Sequence, residues 1–291
     1  MLIEETRQTY LLAKQLQGIS ETTSTAYESS TKKLSEALGE KDIIEVTAND
    51  IRIYLNNLSS CGNVTKGIYI KHYRTWFNWL ENEGLISKNP MDNIPNPKIQ
   101  NKLTKRVLTM EEVGKLLKGS INQPRNFAII SLMLATGLRV SEMCNLELDD
   151  IDWGNRIIYI KDGKGGKERS VYFNDIVERA VKRYLVERPE TTSKSLFVSW
   201  KTHDRMDRCA IGRMIKGLGE KTGVGDVKQV CPHALRHTFA TQWFCNGGDP
   251  HSLQSIMGWS TTRMADKYVH LAQQNIQEIY NRCSPMNNLR G

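Results

Sequence analysis

The stretch "CPHALRHTFAT" (residues 231–241) combines a helix-forming pattern with a group of cationic side chains. On a helix, three such side chains share one face at i, i+3 and i+4: His233, Arg236 and His237. Leu235 and Phe239 point the other way and indicate a core-facing side. The pattern alone leaves three interpretations: a metal site, a phosphate site, or a polar structural face that contains two histidines.

The HxxxH spacing in this stretch is one with which two histidines on a helix can bind a zinc ion. The metalloprotease motif needs Glu after its first histidine, and this chain has Ala234 there. Arg236 would place a fixed positive charge beside the metal, and the nearby candidates for further ligands are Cys231 and Cys245. A phosphate site explains more, because an arginine fork matches two phosphate oxygens and a nearby histidine can donate a hydrogen bond or move a proton.

The composition predicts a two-domain globular protein. Of 291 residues, 39% are hydrophobic and 25% charged, which excludes the disordered and fibrous classes. No apolar run reaches the ~18 residues of a membrane span, and the acidic start "MLIEETRQTY" is unlike a signal peptide, so we expect a cytoplasmic protein. Six scattered cysteines without a CxxC pair fit reduced thiols. The net charge of +8 is compatible with a polyanionic partner.

Changes in pattern along the chain predict its domain boundaries. Residues 1–86 form several amphipathic stretches, with apolar stripes such as Tyr10 to Leu16 and Ile51 to Leu58, and predict a helical domain. The segment "SKNPMDNIPNPKIQNKLTKR" (87–106) is rich in proline and asparagine, so we interpret it as a linker. Residues 107–285 form the second domain and 286–291 a tail.

The second domain is predicted to be mainly α with a small antiparallel β-sheet, an α+β class. Thr109 and Glu112 form a capping-box pattern at the start of a helix. The run "NFAIISLMLA" predicts a buried helix that ends at Gly137. The β-rich runs "RIIYI" and "RSVYF" flank a glycine-rich turn and predict a hairpin, and the pattern from Asn174 onward is helical again.

Further chemistry-bearing residues lie outside the opening stretch. Arg139 follows the glycine in "ATGLRVSEM", and Glu142 lies one helical turn later, where it could orient that arginine or form an ordinary surface ion pair. Lys164 lies among glycines in the hairpin turn, where the alternative is a solvated lysine. Tyr268 in "IMGWSTTRMADKYVHL" is a candidate nucleophile, although a single tyrosine on a helix is usually a packing residue.

The ordered set of these motifs closely resembles the tyrosine recombinase, or phage integrase, family, in a two-domain form similar to Xer recombinases and Cre. The resemblance covers residues 107–285, and residues 1–86 fit the family's helical core-binding domain more loosely. Six positions match the family's order and spacing: Arg139, Lys164, His233, Arg236, Trp259 and Tyr268. Many members, Xer recombinases among them, carry His at the position of Trp259, whereas Cre carries Trp.

The resemblance implies a mechanism and assigns a role to each of the six positions. Tyr268 would attack the scissile phosphate to form a 3′-phosphotyrosyl link, with Arg139 and Arg236 holding the nonbridging oxygens. Lys164 would protonate the leaving 5′-oxygen, and His233 would assist proton transfer or hold an oxygen. Trp259 would donate its indole N–H to the phosphate and support Tyr268. His237 is predicted to be structural, and no metal, cofactor or ATP is implied.

The same resemblance implies the partners. The first is double-stranded DNA with paired recombination sites, which both domains would bind. The second is three further copies of the chain in a homotetramer. Accessory proteins and association with the nucleoid are also compatible with the resemblance. The tetramer would form through an apolar stripe on a C-terminal exchange helix: Ile276, Ile279, Tyr280 and Cys283. A helix folded back on its own domain is the alternative for that stripe. For the function, the alternatives are a topoisomerase IB-like nicking and resealing enzyme and a catalytically silent DNA-binding regulator.

Overall fold

The computed structural model describes residues 1–98, 106–161, 168–224 and 230–272, together with Tyr280 and Ser284. The chain divides into two compact units, Met1–Lys102 and Leu103–Gly291. Most of the described residues are helical, and a small antiparallel sheet lies in the second unit. The predicted α+β class, mainly α with a small antiparallel β-sheet, is therefore confirmed.

The first unit contains four α-helices among its described residues: α1 (Ile3–Leu16), α2 (Glu21–Leu38), α3 (Ala48–Asn57) and α4 (Asn63–Asn82). Polar caps start two of them, because Ser20 and Thr47 accept hydrogen bonds from backbone N–H groups of the first turn. The core contains four fully buried aromatic side chains: Tyr10, Tyr73, Trp76 and Phe77. Leu16 and Ile53, which the apolar stripes included, are exposed instead, since these helices turn other residues toward the core.

The segment predicted to be a linker contributes to the first unit over much of its described length. Met91 is fully buried and Ile94 nearly so, and both belong to the core of the first unit. Arg74 fixes this segment by donating from Nη2 to the Ile94 carbonyl over 2.8 Å. The prolines prevent a helix here, but they do not prevent side-chain packing. The N-terminal part of the predicted linker therefore packs as part of the first unit and is not only a connection.

The second unit contains eight α-helices and three strands in its described part. The helices are α5 (Met110–Ser120), α6 (Pro124–Thr136), α7 (Val140–Asn145), α8 (Asp175–Glu187), α9 (Arg208–Thr222), α10 (Pro232–Cys245), α11 (Pro250–Met257) and α12 (Arg263–Ala272). The strands are β1 (Ile151–Asp152), β2 (Ile157–Ile160) and β3 (Arg169–Tyr172). They pair antiparallel in the order β1-β2-β3, which confirms the predicted hairpin. Residues 188–207 lie outside helices, contrary to the helical pattern predicted from Asn174 onward.

Helix α6 occupies the core of the second unit, as its apolar sequence predicts. Pro124 begins it, and Gly137 ends it with a φ of 63°, a left-handed conformation that favours glycine. A Cβ atom at Gly137 would lie 2.4 Å from Cδ1 of Phe239 and 2.8 Å from Sδ of Met257. The end of α6 therefore lies directly against α10, which carries Arg236, and against α11, whose last carbonyls belong to the site described below.

Within the described ranges, every helix is too short or too polar to cross a membrane.

Candidate active site

Arg236 joins the ends of two helices from its position on α10. Its side chain is buried, and it donates from Nη1 to the carbonyl of Gly137 and from Nη2 to the carbonyl of Met257, the latter over 2.8 Å. These carbonyls belong to the C-terminal ends of α6 and α11, where carbonyls have no partner within the helix and attract cations. Burial, with repulsion from Arg139, lowers the pKa of Arg236 to about 10, so it stays charged at neutral pH.

Glu142 is a buried carboxylate that holds two arginines. It accepts 2.7 Å hydrogen bonds from the backbone N–H and from Nη1 of Arg139, which caps α7. It also accepts from Nη1 and Nη2 of Arg169, over 2.9 and 2.8 Å. Burial by itself would raise the pKa of Glu142, but the hydrogen bonds from Arg169 and Arg139 lower it below its ordinary value. The Arg139–Glu142 pair is thus a partly buried ion pair rather than a surface one.

These four residues form what we call the arginine cluster: Arg139, Glu142, Arg169 and Arg236. The cluster holds three cations and one carboxylate, so its own charge is positive. Arg139 is its accessible member, since about a quarter (24%) of its side chain is exposed, while Arg169 and Arg236 are largely covered. Buried positive charge in excess of its partners suits an anionic ligand such as a phosphodiester.

Tyr268 lies beside the arginine cluster on α12 and is almost completely buried. Its hydroxyl is 2.5 Å from Nδ1 of His237, and its ring stacks on Trp259 with centroids 5.6 Å apart and planes inclined by 10°. Burial raises the pKa of the Tyr268 phenol, although the charge of Arg236 acts in the opposite direction. The phenol is therefore neutral at physiological pH and has a hydrogen-bond partner for its proton or its oxygen.

The structure brings four of the six predicted residues into one connected site. Arg139 donates from Nη2 to the carbonyl of Gly258 over 3.2 Å, one residue before Trp259, which stacks on Tyr268. Arg236 donates to the carbonyl of Met257, the residue before Gly258. His233 is exposed in the first turn of α10, with its ring centroid 6.5 Å from that of His237. Lys164 lies outside the described residues.

Two residues that sequence reasoning did not assign to the site contact it directly. His237, predicted to be structural, bonds the hydroxyl of Tyr268 across 31 positions of sequence. Arg169 starts β3 and reaches both Glu142 and the carbonyl of Ile256. The one sequence signal for Arg169 is its position as a charged residue at the start of the β-rich run "RSVYF".

The described residues contain no group of three or more His, Cys, Asp and Glu side chains that could hold a metal ion. The histidines of the HxxxH pattern lie at the site in other roles, His237 with Tyr268 and His233 at the surface.

Comparison with known proteins shows the family to which the chain belongs. The phage integrase family model matches residues 106–275, which include the arginine cluster and Tyr268. The chain belongs to the phage integrase family. The tyrosine recombinase XerD of Listeria innocua is 30% identical over 285 residues, covering 92% of this chain and 94% of that protein. XerD of Staphylococcus aureus strain Mu50 is 32% identical over 283 residues, with the same two coverages of 92% and 94%.

A solved integrase shares the fold over nearly the whole chain. The crystal structure of a lambda integrase dimer bound to a COC′ core site superposes with a TM-score of 0.78 at 18% identity, covering 92% of this chain and 95% of that one. Family membership and the tyrosine recombinase relatives show the activity of this chain: it is a site-specific tyrosine recombinase that cuts and rejoins DNA strands.

Proposed function

We propose that Tyr268 attacks the scissile phosphate of a DNA site held by the arginine cluster. The attack forms a 3′-phosphotyrosyl bond as the Tyr268 hydroxyl gives up its proton, and it breaks the bond to the 5′-oxygen, which takes up a proton and leaves as a hydroxyl. The 5′-hydroxyl of a partner strand reverses the step, so that the energy of the phosphodiester is kept without ATP. The observation that supports this proposal most strongly is a buried, net positive cluster next to a tyrosine hydroxyl that has a defined hydrogen-bond partner.

Each side chain of the site has a role in this proposal. Arg139 and Arg236 bind the nonbridging oxygens, and both are held by carbonyls or a carboxylate before substrate arrives, so little reorganisation is needed. Trp259 donates its indole N–H to the phosphate and supports the Tyr268 ring. His233, at the surface end of α10, moves a proton or holds an oxygen. Lys164 protonates the leaving 5′-oxygen, a role carried over from the family's motif.

The proposed partners follow from the same chemistry. Double-stranded DNA with paired recombination sites supplies the phosphate, and the lambda integrase of similar fold is bound to such a core site. We propose a homotetramer on DNA, formed through the C-terminal stripe. Tyr280 of that stripe is exposed, whereas Ile276, Ile279 and Cys283 lie outside the described residues. Accessory proteins and a cytoplasmic, nucleoid-associated location belong to the same proposal.

The relatives favour recombination over the two alternatives considered for the sequence. Both XerD relatives are tyrosine recombinases and match this chain over nine-tenths of its length. This match supports a recombinase and gives no support to a topoisomerase-like enzyme or a silent regulator. A regulator also has no need of a tyrosine hydroxyl beside a phosphate site. The domain roles that we propose are DNA binding by residues 1–86 and strand exchange by residues 107–285.

A nicked suicide substrate tests the proposal. When the chain cleaves such DNA, the short leaving strand diffuses away and a covalent protein–DNA adduct accumulates, which a denaturing gel detects. We expect the adduct with the native chain in the presence of EDTA, and none with Tyr268→Phe. Tyr172→Phe is the matched control, because Tyr172 is an exposed tyrosine of the same unit, and it should form the adduct normally. No adduct with the native chain, or an undiminished adduct with Tyr268→Phe, would overturn the proposal.

A further inference from the structure

Arg169 is the most completely bonded arginine of the arginine cluster. Its side chain is 9% exposed, and its guanidinium uses all three nitrogens: Nη1 and Nη2 donate to the two oxygens of Glu142, and Nε donates to the carbonyl of Ile256 over 2.7 Å. A planar fork that meets both oxygens of a carboxylate fixes the plane of that carboxylate as well as its position. Arg169 therefore determines how Glu142 faces its other partner, Arg139.

The shared carboxylate also determines how much charge Arg139 can offer a ligand. Glu142 accepts four hydrogen bonds, two at each oxygen, which fills the acceptor capacity of a carboxylate. Because Arg169 takes two of these bonds, Arg139 has one from its side chain and one from its backbone. Without Arg169, the negative charge of Glu142 would be balanced by Arg139 alone, and the guanidinium of Arg139 could turn fully onto the carboxylate.

Arg169 also supports the turn that leads from α11 to Trp259. Ile256 lies in the last turn of α11, and Gly258 follows it with a φ of 60°. A Cβ atom at Gly258 would lie 3.1 to 3.2 Å from guanidinium and Cδ atoms of Arg169, so this turn packs directly on the arginine. The carbonyl of Gly258 in turn accepts from Nη2 of Arg139. One side chain thus contacts both supports of Arg139, the carboxylate and the turn.

We propose that Arg169 is a positioning residue for strand cleavage, which orients Arg139 through Glu142 and through the turn after α11. Each of its three nitrogens donates to a protein atom and its fork is paired with the carboxylate of Glu142, so we infer that it acts on the phosphate through Arg139. This inference rests on the proposed role of Arg139 as a ligand of the scissile phosphate. It predicts that loss of Arg169 impairs the cleavage step and leaves DNA affinity nearly unchanged, because the phosphates outside the scissile position are contacted elsewhere.

The test compares variants of the full chain in single-turnover cleavage of nicked DNA, with DNA affinity and thermal unfolding measured alongside. We expect Arg169→Gln to cleave about 10- to 100-fold more slowly, the usual cost of misplacing a supporting group, with a dissociation constant for DNA within about 3-fold of native. Arg169→Lys keeps the charge but not the planar fork, so its cleavage rate should lie between those of the native chain and Arg169→Gln. If Arg169→Gln unfolds, the cleavage rate of Arg169→Lys tests the same inference.

Arg125→Gln is the matched control. Arg125 is also partly buried and joins a helix to a backbone carbonyl, that of Val198, but it faces Trp200 and not the arginine cluster. Its loss should lower stability and leave the cleavage rate native. A native cleavage rate in a folded Arg169 variant, or an equal slowing in Arg125→Gln, would overturn the inference.

A double-mutant cycle separates positioning from a general structural effect. If Arg169 acts mainly through Glu142, the double variant Arg169→Gln/Glu142→Gln should cleave nearly as fast as the slower single variant, because the second change removes support that is largely lost already. Losses that multiply would show independent action and overturn the inference. An absent adduct with the native chain would instead contradict the proposed function, so the two failures are distinguishable.

Discussion

The arginine cluster and the surroundings of Tyr268 are adjacent, yet they are held by different forces. The cluster is fixed by directional bonds to a buried carboxylate and to the carbonyls of Gly137, Met257 and Gly258. Tyr268 is held by its stack on Trp259 and by one hydrogen bond from or to His237, within a small apolar cluster that includes Phe244 and Leu253.

The difference follows from what each region is proposed to do. A buried guanidinium costs several kcal/mol unless fixed partners compensate for the lost water, so the phosphate-binding side must be rigid before substrate arrives. A phenol is neutral and tolerates packing contacts that allow its ring to turn during attack. We infer that the phosphate side of the site is preorganised and the nucleophile side is adjustable.

The largest effect is expected from Arg236→Gln. Glutamine cannot replace a charged fork that bridges two helix ends, and the loss of one charged donor to a reacting centre typically slows the reaction about 10²- to 10³-fold. Single-turnover cleavage of nicked DNA measures it, with thermal unfolding to confirm that the variant is folded. Slowing by less than tenfold would mean that Arg236 does not stabilise charge on the phosphate.

Two substitutions of Trp259 separate the contribution of the indole N–H to cleavage from that of ring packing on Tyr268. Phenylalanine keeps a ring on Tyr268 but removes the N–H, and the loss of a hydrogen bond to a charged phosphate corresponds to about 10- to 100-fold in cleavage rate. Trp259→His, which restores a donor, is the control and should stay within about 3-fold of native if donation is the role of the indole. Equal losses in both variants would show that packing alone matters.

His237→Phe removes the partner of the Tyr268 hydroxyl and keeps a ring in its place. A buried hydroxyl without a partner costs about 1 to 3 kcal/mol, so thermal or chemical unfolding should show a loss of that order. Cleavage should slow about 3- to 10-fold, because the hydrogen bond to His237 orients the hydroxyl.

The stability of a second variant tests this cause. His237→Phe/Tyr268→Phe removes both polar partners and should recover most of the lost stability, since no hydroxyl is left without a partner. If the double variant is less stable than His237→Phe, the hydrogen bond is not the reason for the loss.

The smallest effect is a change in the pH dependence of stability. The pKa of Glu142 is lower in the folded chain than its ordinary value, so its contribution to stability is present above about pH 4.3 and is lost as the pH falls through the folded-state pKa. The free energy of unfolding of Glu142→Gln should therefore fall less steeply on acidification than that of the native chain, as urea unfolding between pH 7 and pH 3 would show. Parallel curves would contradict the charged, doubly paired state of Glu142.

Local patterns predicted most of the elements that carry the site. The capping box at Thr109 and Glu112 begins α5, and Gly137 ends α6 in the left-handed conformation, because both signals depend on a few neighbouring residues. The two strands of the hairpin pair as their β-rich runs indicated. Strand β1 has two residues, too few for a recognisable alternation, and was not predicted.

The contacts between distant residues could not be predicted in the same way. The ordered motifs indicated that Arg139, Arg236, Trp259 and Tyr268 belong together, but not which atoms hold them. The bond between His237 and Tyr268 and the fork of Arg169 on Glu142 depend on how helices and strands pack, and no local pattern records that packing. For the same reason, the pattern of α10 predicted one cationic face but did not show that Arg236 on that face is buried.

A neutral substrate tests most directly whether the arginine cluster stabilises charge on the scissile phosphate while Tyr268 attacks it. A methylphosphonate at the scissile position replaces one charged nonbridging oxygen by a methyl group. On normal DNA we expect Arg236→Gln to cleave about 10²- to 10³-fold more slowly than the native chain, and on methylphosphonate DNA less than about 10-fold more slowly. Tyr268→Phe should form no adduct with either substrate. An equal slowing of Arg236→Gln on both substrates would contradict this role of the arginine cluster.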